Sequence, residues 1–196
     1  MSKSSNGAAV IKWVLVGVVG LGLLGVLGSY VYINFIREEA PERLDTTPEV
    51  VGSVDPNVTL EGTWAVAEGS QVGYRVQEIL FGQEAEAVGR TSDITGTFTI
   101  NGNSLTEGSF EADMTTVTSD QERRDGQFRG RIMEVDRYPT ATFELTEPLD
   151  LSGIDPQQTE ATATATGDLT VHGVTNEVTF EISGVRSGSI IQITGS

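Results

Sequence analysis

From Trp64 onward the apolar residues recur at every second position, and that period of two constrains the fold more than anything else in the chain. Val72, Tyr74 and Val76 alternate with Gly73, Arg75 and Gln77; Ile94, Gly96, Phe98 and Ile100 alternate with threonines. Phe110, Ala112 and Met114 are separated by Glu111 and Asp113, and Ala141, Phe143 and Leu145 by Thr142 and Glu144. Val178, Phe180 and Ile182 repeat the pattern, as do Leu169 and Val171 with Thr170 and His172. A strand with one apolar and one wet face belongs in an antiparallel sheet. Many such strands in succession close into a barrel or stack as a sandwich. Asn101-Gly102 supplies the best short hairpin signal. The alternating stretch TEATATAT at residues 159–166 reads as strand rather than as disorder.

One helix interrupts the strands. Ser119 and Glu122 have capping-box spacing, and Phe128 and Ile132, four apart, share one helical face. Gly126 and Gly130 weaken this helix, so it is expected to be short and held by packing.

Charge divides the chain into three parts. The whole carries a net charge of −16 over 196 residues, which argues against nucleic acid as a partner. Trp13 to Ile36 is 24 residues without a charged side chain. As a helix it spans roughly 36 Å at about 1.5 Å per residue, enough to cross a hydrocarbon core of about 30 Å. Trp13, Tyr30 and Tyr32 sit near its ends, and Lys3 and Lys12 precede it. The positive-inside tendency then leaves residues 1–12 in the cytoplasm and the rest outside. A cleaved signal peptide is the competing reading, with Val26-Leu27-Gly28 as a small-residue site, but the apolar run continues eight residues beyond it. Residues 37–61, with Pro41, Pro48 and Pro56 among acids, read as an acidic tether. Residues 62–196 are the β domain, whose eight arginines face 21 acids without a single lysine.

Five of those arginines (Arg123, Arg124, Arg129, Arg131 and Arg137) lie between Asp120 and Tyr138, but so do Asp120, Glu122, Asp125, Glu134 and Asp136. The segment is therefore neutral. Arginine–carboxylate pairs pinning the helix to the barrel rim are the simplest account, although a neutral rim is also where an anionic head group meets least repulsion. His172 is the only histidine and the chain has no cysteine, so a zinc site or a catalytic triad lacks partners. No metal, no cofactor and no catalysis are expected; a lipid hydrolase or isomerase acting through His172 is the weaker alternative.

The stretches TSDQERRDGQFRGRIMEVDRYPTATFEL and GDLTVHGVTNEVTFEI, with GTWAVAEGSQVGYRV and AVGRTSDITGTFTI before them, resemble the YceI-like family from about Gly62 to the C-terminus. The motifs that carry the likeness are Arg124-Asp125, the run Tyr138 to Phe143, Gly167 to Thr170, and His172-Gly173-Val174. The resemblance implies a lipocalin-like antiparallel barrel with a long apolar cavity that binds polyisoprenoid chains such as quinones or isoprenoid lipid phosphates. It also implies a further hairpin after residues 189–194, so the domain is expected to be cut short at Ser196.

The expected protein is thus all-β: an antiparallel lipocalin-like barrel with one short helix, preceded by a single transmembrane helix at 13–36. It would bind or carry an isoprenoid lipid outside the cytoplasm, at the cell membrane. The candidate cavity residues are Tyr74, Val76, Phe98, Phe110, Met114, Phe128, Ile132, Phe143, Leu145 and Phe180; Arg124, Asp125 and His172 are the candidates for the mouth or the head group. The apolar set is equally a core list, so an envelope module with a filled core is the alternative. Affinity would come from burying this surface, at about 25 cal/mol per Å² before the costs of association.

Overall fold

The computed structural model describes residues 24–32, 59–80, 82–152, 161–187 and 190–196. The expected cytoplasmic segment 1–12, residues 13–23 and 33–36 of the expected anchor, and residues 37–58 of the tether lie outside the described residues. The chain divides into two compact units, residues 1–40 with 77–85, and residues 41–76 with 86–196. In the first, residues 24–32 are helical; among the described residues no helix is long and apolar enough to cross a membrane.

Outside residues 24–32 the described chain is all-β and sheet-dominated, with one short α-helix between its strands. Its strands are β1 (Gly62–Ala65), β2 (Val72–Leu80), β3 (Gln83–Thr91), β4 (Ile94–Asn101), β5 (Ser104–Asp113) and β6 (Thr118–Ser119). After the helical segment come β7 (Thr140–Leu145), β8 (Leu149–Asp150), β9 (Ala161–Val171), β10 (Val174–Ser187) and β11 (Ile190–Gly195). The larger sheet runs β1-β4-β5-β7-β9-β10-β11, with β8 on the start of β5, and a smaller one runs β2-β3-β6. The pairings given for these strands are antiparallel, as one-faced alternation requires. Threonines tie the polar face across strands: the hydroxyl oxygens of Thr166 and Thr179 are 3.0 Å apart, and those of Thr170 and Thr175 2.7 Å apart.

Three local expectations change. The β4–β5 turn is centred on Gly102-Asn103, one residue later than Asn101-Gly102, because Asn101 still pairs with Ser104 and Gly102 takes the positive φ of 59°. The helix α1 (Glu122–Gln127) begins at a Gln121 cap without a side-chain bond, so Ser119 and Glu122 form no capping box. After α1 the chain continues as a π-helical turn at Phe128–Ile132, closed by the Met133 N–H donating to the Phe128 carbonyl at 2.8 Å. A π turn spaces its hydrogen bonds at five residues rather than four. Met133, not Ile132, therefore shares the buried face with Phe128: Met133 is 6% exposed and Ile132 60%.

Candidate ligand-binding face

The register places the apolar residues of the larger sheet in rows. Gly96 is opposite Phe110, Phe110 opposite Phe143, and Phe143 opposite Leu169. Phe98 is opposite Gly108, Leu145 opposite Gly167, Ala165 opposite Phe180, and Ala163 opposite Ile182. Small residues thus repeatedly face large ones. Gly96 and Gly167 are seats for rings: a Cβ on Gly96 would lie 2.6 Å from Phe110 Cδ1, and one on Gly167 2.5 Å from Phe143 Cζ and against the Glu144 carbonyl. The Phe143 and Phe180 rings meet edge to face at 5.4 Å, a favoured aromatic geometry. Trp64 and Phe98 stack at 6.1 Å where β1 joins β4.

Burial grades along this face. At one end Met114, Val117, Phe128, Met133 and Val135 form a closed core with Ala112, and Val72, Tyr74, Ala141 and Val171 pack against it. Tyr74 stacks on Phe128 at 4.7 Å. Phe98 is buried as well, whereas Phe110, Phe143, Leu145 and Phe180 stay half-buried. Two residues of the expected cavity set stand apart: Val76 is 49% exposed on β2, and Ile132 is turned out by the π turn. Residues of the face outside the expected set include Gly96, Gly108, Gly167, Ala163, Ala165, Leu169 and Ile182. A glycine in a strand interior is the sequence sign of close approach by something bulky, and could have drawn attention to the three glycines among them.

The polar candidates fall into two clusters. Asp125 is buried, and one carboxylate oxygen accepts the Ser119 N–H at 2.9 Å and the Ser119 hydroxyl at 2.6 Å. Arg124 pairs with Asp120 and reaches the Ser119 oxygen at 3.4 Å, and Arg129 donates to the Val117 carbonyl at 3.1 Å. These groups clasp α1 to β6. Such an arrangement positions a helix, through one arginine–carboxylate pair inside the segment, Arg124 with Asp120, and through the Asp125 and Arg129 bonds to Ser119 and Val117.

His172 was expected on the polar face of a strand. Instead it opens the two-residue turn between β9 and β10, with φ of 53°, followed by Gly173 at 71°. Two consecutive positive φ values are what a two-residue hairpin of this twist demands, and histidine tolerates them better than most residues. Its ring meets Tyr138 edge-on at 4.6 Å, and Nε2 lies 3.6 Å from a Glu134 carboxylate oxygen, itself on a residue with φ of 46°. That nitrogen is shielded from solvent and has no hydrogen-bond partner. Among the described residues no group of three or more His, Asp or Glu could hold a metal.

One-faced antiparallel strands, with rows of apolar residues and a short helix at one end, make up the candidate face. The family described as the YceI-like domain matches residues 64–195, and the chain belongs to that family. UPF0312 proteins of Vibrio parahaemolyticus and Vibrio campbellii are each 29% identical over 104 residues, 52% of this chain and 51% of theirs. The chain thus spans about half the length of the curated relatives it matches. In fold it is similar to a polyisoprenoid binding domain from Saccharophagus degradans implicated in plant cell wall breakdown. That likeness has a TM-score of 0.52 at 18% identity, covering 67% of this chain and 72% of the other.

Proposed function

We propose that the domain binds the hydrocarbon chain of an isoprenoid lipid, of quinone or polyprenyl phosphate type, along its glycine-seated apolar face. The observation that carries this reading is the incomplete burial of Phe110, Phe143 and Phe180 on a face where glycine and alanine stand opposite large residues. A face built only as core would bury such rings, as the Phe128 end does. The fold neighbour that is a polyisoprenoid binding domain supports the same substrate class. Of the three polar candidates, Asp125 and Arg124 are engaged in the clasp, and His172 lies beside Glu134 next to the closed end, so the reading rests on the apolar face and not on a head-group site. In this reading residues 13–36 anchor the chain in the membrane and hold the domain outside the cytoplasm, close to the bilayer that supplies its cargo.

The closed cluster around Phe128 favours a second reading, an envelope module whose core is simply filled. Native mass spectrometry of the full chain, with and without added quinone or polyprenyl phosphate, separates the two. The lipid reading expects one adduct per chain, a raised unfolding midpoint with ligand, and weaker binding in Phe143→Ala. A clean apo mass, with no change in midpoint at saturating lipid, sinks it and leaves the filled core.

A further inference from the structure

We infer that the turn end of the β2–β3 hairpin, centred on Ile79, is a second contact with the lipid bilayer; this rests on the membrane-anchor reading of residues 13–36. Ile79 is 79% exposed, the most exposed of the large hydrophobic residues among those described. It stands near the end of β2, three residues before Gly82, whose φ of 81° turns the chain. The sequence there, Ile79-Leu80-Phe81-Gly82, is free of charge, while Glu78, Glu84 and Glu86 flank it. Strand alternation sends Ile79 and Glu78 to opposite faces, so an apolar side chain can enter a membrane interface without dragging its acidic neighbour along.

The choice of a bilayer over a protein partner comes from the company this hairpin end keeps. Residues 77–85 belong to the same compact unit as residues 1–40, which contain the 24-residue charge-free run. The described part of that run is a helix with Leu24, Val26 and Leu27 all exposed. Both parts of the unit therefore present uncovered apolar surface. Apolar surface of this kind marks a membrane or protein contact. A second copy would bring another net charge of −16 to the same place, which an uncharged lipid surface does not.

The chain has no cysteine, so single nitroxide labels can be placed cleanly. The full chain, carrying Ile79→Cys, Leu24→Cys or Asn103→Cys, is reconstituted in phosphatidylcholine nanodiscs. Collision of each label with oxygen and with a water-soluble nickel chelate is then compared. Asn103, in the exposed β4–β5 turn, is the aqueous reference. The expected result is an oxygen-to-nickel ratio several-fold above that of Asn103 at both Ile79 and Leu24. A high ratio at Leu24 with an aqueous ratio at Ile79 overturns the hairpin contact and leaves the anchor standing. Aqueous ratios at both overturn the contact and the anchor together. A high ratio at Ile79 alone removes the anchor and overturns the inference of a second contact, leaving the hairpin as the one membrane contact detected. An Ile79 label shielded from both reagents lies against protein, as in a dimer, and also overturns the contact.

Discussion

At the scale of single residues, Asp125 shows how a charged side chain is made to serve the fold. A buried carboxylate is costly unless its lone pairs are filled, and here two Ser119 donors fill them from β6. Asp125→Ala leaves the Ser119 N–H and hydroxyl without their acceptor. The expected loss is about 2–4 kcal/mol in chemical denaturation: two hydrogen bonds to a charged group at about 1.5–3 kcal/mol each, less what is regained by no longer burying the charge. Asp125→Asn retains an acceptor oxygen and should lose about half as much; an alanine variant as stable as wild type would refute the clasp. This role was partly legible, since five arginines matched by five acids already spoke against a basic patch. The position of His172 was legible too, and was missed: His-Gly between Val171 and Val174 has the form of a two-residue hairpin turn, in which histidine stands where asparagine is more usual. The glycine seats were not legible in the same way. They depend on which residue faces Gly96 or Gly167 across the sheet, and pairing is non-local information that the period of two does not contain.

At the scale of elements, the strands were readable because each buries one face, which writes its geometry into adjacent residues. The helical segment was readable as a helix but not in its phase. Phe128 and Ile132 fit an α-helical stripe, yet the π turn moves the buried position on to Met133. That shift follows from how the chain must leave α1 to reach β7: Val135 N–H reaches back to the Arg129 carbonyl at 2.9 Å and Glu134 takes a positive φ. Paired truncations test it. Met133→Ala should cost about 2–4 kcal/mol, as truncating a buried methionine does, while Ile132→Ala should stay within about 0.5 kcal/mol of wild type. Unfolding midpoints in the reverse order would mean that an α-helical phase persists in solution.

At the scale of the whole molecule, the acidic excess is not spread evenly over the sheet. Glu144 lies opposite Asp168, and Asp168 opposite Glu177, so three carboxylates form one row across β7, β9 and β10. All three alternate with residues of the apolar face, which puts them together on the polar side. Like charges directly opposite on neighbouring strands are destabilising by roughly 0.2–1 kcal/mol per pair, and Asp168 takes part in both pairs. The sheet tolerates the row because hydroxyls flank it: Ser109 stands opposite Glu144 on β5, and the neighbouring row runs Thr142, Thr170, Thr175. Replacing the middle member removes both repulsions at once, so Asp168→Asn should raise stability by about 0.5–2 kcal/mol. The same electrostatics sets a second, independent reading. Screening lengths shrink from about 30 Å at 0.01 M salt to about 10 Å at 0.1 M, so added sodium chloride should raise the wild-type midpoint more than that of Asp168→Asn. A variant no more stable than wild type at low salt, with the same salt slope, would show that the row carries no strain and that the net charge acts only through solubility.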